Sequence, residues 1–190
     1  RSIGILGLGT DQIIRLPVDE KRRIDTNKAN LILDGAAERG IKVFCLVASV
    51  GTTSTGSIDP LADLAKICAS RDIWFHVDGA HAGSFLVSDK LSPRLSGIED
   101  ADSFCIDAHK TMFVPATCTL LFYRNAASAE FAFSKNASYV FSEQESEVDK
   151  FESGGLNFEC TKRPGIISLW IAWAMYGRQF FERKLDYLIS

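Results

Sequence analysis

The sequence lacks several things that would settle a function class at once. It has no Cys-x-x-Cys pair: the five cysteines, Cys45, Cys68, Cys105, Cys118 and Cys160, are odd in number and widely spaced. That argues against a disulfide framework and a cysteine-based zinc site. Cys45, Cys105 and Cys118 lie in apolar, strand-like runs and read as buried thiols of a reducing compartment. Charge of one sign is also missing, with 24 acids against 21 bases and a formal net charge of -3. No basic run or stripe occurs, so neither nucleic acid nor an anionic membrane surface is an expected partner. No apolar stretch approaches the ~20 residues of a bilayer span. No leader pattern is read where Arg1-Ser2 meets Gly4–Gly9, and a cytoplasmic protein is expected. Internal repeats, low-complexity tracts and a clear domain linker are absent.

What is present is enough apolar residue, 46% of 190, for a real core. The length fits one domain or part of a larger one. Ile13–Val18 reads as a short strand. Asp25, Thr26 or Asn27 can cap the helix after it, which runs to about Arg39 and is closed by Gly40. Lys42–Ala48 is β-branched and apolar without alternation, the pattern of a strand buried on both faces. Gly51–Ser57 is a loop of small residues. Pro60 sits near the start of a helix whose apolar stripe is Leu61, Leu64, Ala65 and Cys68. Ile73–Val77, Ser103–Ile106 and Cys118–Tyr123 are further strands, and Ala126–Phe133 a short helix. Ser142–Ser153 is acidic, weakly patterned and loop-like. Helix returns from Pro164, with a second stretch over Phe180–Ile189. Strands alternating with helices imply a mostly parallel sheet with both faces covered.

In such sheets ligands bind at the carboxyl ends of the strands. Val43–Ala48 runs into Ser49 and Thr52-Thr53. Ile73–Val77 runs into Asp78. Ser103–Ile106 runs into Asp107, His109 and Lys110. An acid, a lysine and small hydroxyls at neighbouring strand exits suit pyridoxal 5'-phosphate (PLP). The lysine would form an imine, and the acid would keep the pyridine nitrogen protonated so that the ring draws electrons. A lysine directly after a strand is expected in a sheltered crevice, where burial and a nearby cation favour the neutral amine. Ala80 and Gly83 leave room for a flat ring.

The motifs His76-Val-Asp-Gly-Ala-His-Ala-Gly83 and Ala101-Asp-Ser-Phe-Cys-Ile-Asp-Ala-His-Lys110 resemble those of the group II PLP-dependent amino-acid decarboxylases, which include aromatic amino acid, glutamate, cysteine sulfinate and diaminobutyrate enzymes. The similarity extends to Leu6–Gly9, Val50–Thr53, Glu159–Arg163 and Leu169-Trp170, and so covers nearly the whole chain. It implies an α/β, aspartate aminotransferase-like fold (fold type I), with residues 1–163 in the large PLP-binding domain and 164–190 a helical segment leading toward a small C-terminal domain outside the chain. It implies that Lys110 carries the internal aldimine, that Asp78 pairs with the pyridinium nitrogen, and that Ala80 packs on the ring. It also implies that Thr53 contacts the ring side of the pocket, that His109 lies near the phosphate and reaction centre, and that Asp107, where Asn is frequent, contacts the phosphate. Tyr139 falls where the family places a proton-donating tyrosine on a flexible loop. The implied reaction is decarboxylation of an L-amino acid to amine and carbon dioxide, in a homodimer with the active site at the interface.

The chain departs from the family at Gly79, where Ala is common, and at Thr111, where Trp or Met is frequent. The family's phosphate cup and ring-stacking aromatic residue fall outside these residues, so the chain is expected to be the middle of a longer polypeptide or one chain of a set. Other readings stay open. One is a lyase or aminotransferase on the same fold. Another is a metal-dependent hydrolase using His76, Asp78, His81 and His109. A third is a non-catalytic remnant. His76 reads equally well as a satisfied strand residue. Trp170, Trp173 and Tyr176 read as core or dimer contact. The glycines of Gly4–Gly9 make a poor nucleotide fingerprint, since no strand precedes them.

Overall fold

The computed structural model describes residues 2–133 and 162–190. Tyr139, the Ser142–Ser153 segment, Cys160 and the Glu159–Thr161 part of the last motif lie outside the described residues. After a short α1 (Ser2–Ile5), helix α2 (Thr26–Glu38) leads into β1 (Cys45–Ser49). Helix α3 (Leu61–Ala69) then returns the chain to β2 (Trp74–Asp78). After β3 (Ser103–Asp107) comes the single turn α4 (Ala108–Thr111), then β4 (Thr119–Tyr123), α5 (Ala126–Phe133) and α6 (Ile166–Leu188).

The strands form one sheet in the order β1-β2-β3-β4. The first three are parallel and β4 is antiparallel to β3. A parallel pair needs a crossover. Helix α3 supplies it between β1 and β2. Between β2 and β3 no α-helix does so; three 3-10 turns, Gly83–Val87, Ser92–Leu95 and Ile98–Asp100, cross instead and bury Phe85, Leu91, Leu95 and Ile98. Asp25 caps α2 by accepting the Lys28 backbone N–H at 3.1 Å, one of the donors that a helix start leaves unpaired.

Register and pleat sort the side chains. Leu46, Ala48, Phe75, Val77, Phe104 and Ile106 share one face, packed with Leu33 of α2, with Leu61, Leu64 and Cys68 of α3, and with Leu169 and Phe181 of α6. Val47, Trp74, His76, Asp78, Cys105, Asp107 and Leu121 share the other. No helix among the described residues covers that second face, and Val47 and Leu121 are 53% and 45% exposed. The expected double burial of Lys42–Ala48 is therefore corrected: the strand begins at Cys45 and is buried on one face. Ile13–Val18 is not a strand either. It makes a single bridge, Val18 to Ile24, and no strand among the described residues pairs with it further. No helix among the described residues is long and apolar enough to cross a membrane.

Helix α6 is broken at Gly177, whose φ is 68° and ψ 172°. Its second half docks on the first 3-10 turn. Arg178 Nε donates to the Val87 carbonyl at 3.0 Å, and the Ser88 hydroxyl donates to Asp186 at 2.6 Å. Phe181 and Leu185 are buried beneath. The first half leaves Trp170 69% exposed, so that ring is not core.

Candidate functional site

The parity of the sheet fixes where polar side chains emerge. Ser49 is paired in register with Asp78, Asp78 with Cys105, and Asp107 with Thr119. All five therefore point to the uncovered face, at the carboxyl ends of β1, β2 and β3 and at the start of the antiparallel β4. The topology brings the residues of three separate strand exits to one edge.

Asp78 accepts two hydrogen bonds on the same oxygen. The Ala80 N–H reaches Oδ1 at 3.1 Å and the Cys105 thiol reaches it at 3.7 Å. Burial, and then the Asp78 charge, push the Cys105 thiol up, which keeps its proton available to donate. Oδ2 of Asp78 takes no hydrogen bond among the described residues. The turn that follows is pressed onto β3. A Cβ on Gly79 would stand 2.7 Å from the Cys105 carbonyl oxygen, so only glycine fits without a shift. The Gly83 N–H closes the turn on the Gly79 carbonyl at 2.7 Å, and the Asp107 N–H donates to the Ala80 carbonyl at 3.2 Å. Ala80 is half-buried.

Asp107 organises the next exit. Its Oδ1 accepts the Thr119 hydroxyl at 2.6 Å and its Oδ2 lies 2.9 Å from Lys110 Nζ. Burial pushes the Asp107 carboxyl up, but the Thr119 hydroxyl and the Lys110 ammonium outweigh it and hold the carboxyl below the usual range. The Lys110 side chain is 42% exposed. Among the described residues the expectation of a sheltered lysine beside a cation is corrected on both counts: the neighbour at 2.9 Å is a carboxylate, and no helix covers the sheet face above.

His109 faces the same carboxylate, with Nε2 3.9 Å from Asp107 Oδ2. Its Nδ1 lies 3.1 Å from the Cys118 N–H and 3.0 Å from the Cys118 carbonyl. The carbonyl already accepts the His109 backbone N–H at 3.4 Å. The Cys118 N–H needs an acceptor, so Nδ1 is assigned as acceptor and the proton sits on Nε2, toward Asp107.

Of the two threonines after β1, Thr52 is committed to the loop: its hydroxyl meets Thr55 at 2.7 Å and Ser57 at 2.8 Å. Thr53 is exposed and none of the loop's hydrogen bonds uses its side chain. Sequence reasoning missed Asp59. It is buried and accepts the backbone N–H of Ile24 and of Ser49, each at 2.7 Å, which ties the β1 exit down. It also missed the hydroxyl pair Ser84 and Thr111, 2.6 Å apart beneath the site. No local pattern marks a bond across 27 positions. The four residues of the metal-hydrolase reading do not assemble. His76 is engaged with the Ser103 hydroxyl at 2.8 Å, and no group of three His, Cys, Asp or Glu side chains among the described residues could hold a metal ion.

The donor set suits a flat, doubly functional cofactor. One carboxylate oxygen is uncommitted, one amine is within reach of solvent, and a half-buried alanine lies between two strand exits. A family model described as "Pyridoxal-dependent decarboxylase conserved domain" matches residues 4–190. L-aspartate decarboxylase dtxS4 of Metarhizium robertsii is 32% identical over 95% of this chain and 36% of its own. Cysteine sulfinic acid decarboxylase of Mus musculus is 31% identical over 98% of this chain and 38% of its own. Among solved structures, mouse CSAD superposes with a TM-score of 0.90 at 30% identity, over 97% of this chain and 38% of that one. The chain spans under two fifths of the length of these curated relatives.

Proposed function

The chain belongs to the pyridoxal-dependent decarboxylase family, and from that premise we propose that it is the central part of a PLP-dependent enzyme that decarboxylates an L-amino acid to the amine and carbon dioxide. One observation carries the reading: Asp78, with an oxygen to spare, and Lys110 stand at adjacent strand exits on the same sheet face. When bound, the cofactor supplies a ring that accepts the electron pair left at the α-carbon as carbon dioxide departs.

The chain's own residues prepare for that. Lys110, whose Nζ rests 2.9 Å from Asp107 Oδ2, would be the residue that holds the cofactor through its amine. Asp78 would hold the ring nitrogen protonated through its Oδ2, while Ala80 N–H and the Cys105 thiol keep Oδ1 in place. Ala80 would pack on the ring, and Thr53, uncommitted, would be free to bond the ring substituents. Asp107 and His109 would serve the phosphate side, with His109 Nε2–H available as the donor. Tyr139 Oη is the proton donor to the α-carbon, on the sequence resemblance alone. The protein acts in the cytoplasm as a homodimer whose interface closes the uncovered face.

The test is a screen of amino acids for carbon dioxide release by the full-length protein, with Lys110→Ala beside it. The reading expects release from at least one amino acid, an absorbance band near 400 nm in the unmodified protein that borohydride removes, and loss of both in Lys110→Ala. A Lys110→Ala protein that kept the band would sink the reading, as would keto acid appearing in place of carbon dioxide.

A further inference from the structure

Beneath the site two hydroxyls occupy a place where apolar side chains would be ordinary. Ser84 is fully buried and Thr111 nearly so. Their oxygens are 2.6 Å apart, and Thr111 Oγ1 is 2.9 Å from the His81 carbonyl. The donors can be counted. Thr111 has one hydroxyl proton, and the His81 carbonyl can only accept, so Thr111 donates there. Ser84 must then donate to Thr111. The result is a directed chain, Ser84 O–H to Thr111 Oγ1, Thr111 O–H to the His81 carbonyl.

The chain joins two pieces that no strand pairing joins. Thr111 follows Lys110 in α4. His81 belongs to the turn that follows Asp78 and carries Ala80, and Ser84 to the 3-10 turn Gly83–Val87 directly after it. We infer that Thr111 and Ser84 are positioning residues for PLP: they lock the turn that receives the ring to the helical turn that supplies the amine. The inference rests on the cofactor reading above. A ring held by both Asp78 and Lys110 would need the two kept at a fixed separation. A misplacement of about 1 Å between groups acting on one ligand costs up to about 10²-fold. A bond buried in low dielectric resists such drift, because breaking it strands a hydroxyl and a carbonyl away from water.

Thr111→Val keeps the shape and removes both bonds; Thr111→Ser keeps both bonds and loses a methyl group; Ser84→Ala removes one. The full-length proteins are loaded with PLP, and three quantities are read: the PLP dissociation constant, the circular dichroism of the bound cofactor near 400 nm, and the Tm of the cofactor-free form. Thr111→Val is expected to weaken PLP binding about tenfold and to reduce the cofactor's dichroic band. Thr111→Ser is expected to restore both to within about twofold, and Ser84→Ala to fall between. If Thr111→Val does not fold, Ser84→Ala against the unmodified protein decides. A fall in Tm with unchanged PLP affinity and dichroism would overturn the inference, leaving the pair a packing feature. Should borohydride fix the cofactor somewhere other than Lys110 in the unmodified protein, the cofactor reading fails and this inference with it.

Discussion

At the scale of single residues, the site is built by carboxylates that each serve two masters. Asp59 satisfies two backbone donors, Asp78 a backbone donor and a thiol, and Asp107 a hydroxyl and an ammonium. Asp107 has a consequence that acid titration reads. Its carboxyl is held below the 3.8 of an unperturbed aspartate, so its folded form prefers the charge. A carboxyl depressed by folding contributes stability that is present above its unfolded value and is lost as pH falls through its folded value. Asp107→Asn keeps an oxygen for the Thr119 hydroxyl and removes only the charge facing Lys110. That variant is expected to melt about 2 °C below the unmodified protein at pH 7, the small figure reflecting a half-exposed lysine in water. The gap is expected to close as pH is lowered below 3.8. A gap that stayed constant from pH 7 to pH 3 would show that the charge contributes nothing.

At the scale of elements, two loops hold each other. The Ala82 N–H donates to the Val50 carbonyl at 3.2 Å, and Gly51 N–H closes its own loop on Ser57 at 3.0 Å. Gly51 has φ +78°, and a Cβ there would stand 2.7 Å from the Ala82 Cβ. Gly51→Ala is thus expected to cost about 2–3 kcal/mol, strain and overlap together. The urea midpoint should fall with the slope unchanged, and PLP binding should weaken because the Thr52-Thr53 loop is pushed from the turn after Asp78. An unaltered midpoint would mean that the loops yield freely. Elements were legible where local periodicity decides them: α2 with its Asp25 cap, α3 after Pro60, α5, and the cores of β2 and β3. They were illegible where a partner decides. Ile13–Val18 has strand composition and no strand to pair with among the described residues. The 83–101 segment packs its apolar residues through three 3-10 turns, whose short period leaves no helical stripe. At the site the alternation of strands and exits was enough to expect Asp78, Asp107 and Lys110 at neighbouring strand ends, which is where the sheet has them. The Ser84–Thr111 bond and the role of Asp59 depend on tertiary approach, which spacing does not encode.

At the scale of the whole molecule, the sheet is two-faced in an unusual way. One face is buried under α2, α3 and α6. The other presents Val47 and Leu121, exposed, beside the polar row of the site. Apolar side chains on a sheet face without cover mark a surface that something else occupies. Relatives that this chain matches have more than three fifths of their length outside the match, since the chain spans 38% of mouse CSAD. The same pair of substitutions should therefore act oppositely in two contexts. In the isolated 190-residue chain, Val47→Lys with Leu121→Lys removes exposed apolar surface. It is expected to lower dye binding by anilinonaphthalene sulfonate and to reduce self-association in sedimentation, with Tm little changed. In the full-length protein the two lysines would be forced under a covering segment or subunit. Burying charge without partners there is expected to cost several kcal/mol, and the melting temperature should drop by about 10 °C or the protein should fail to accumulate. Equal tolerance in both contexts would mean that this face stays open to water in the whole protein, and the proposed closure of the site by a second subunit would fall with it.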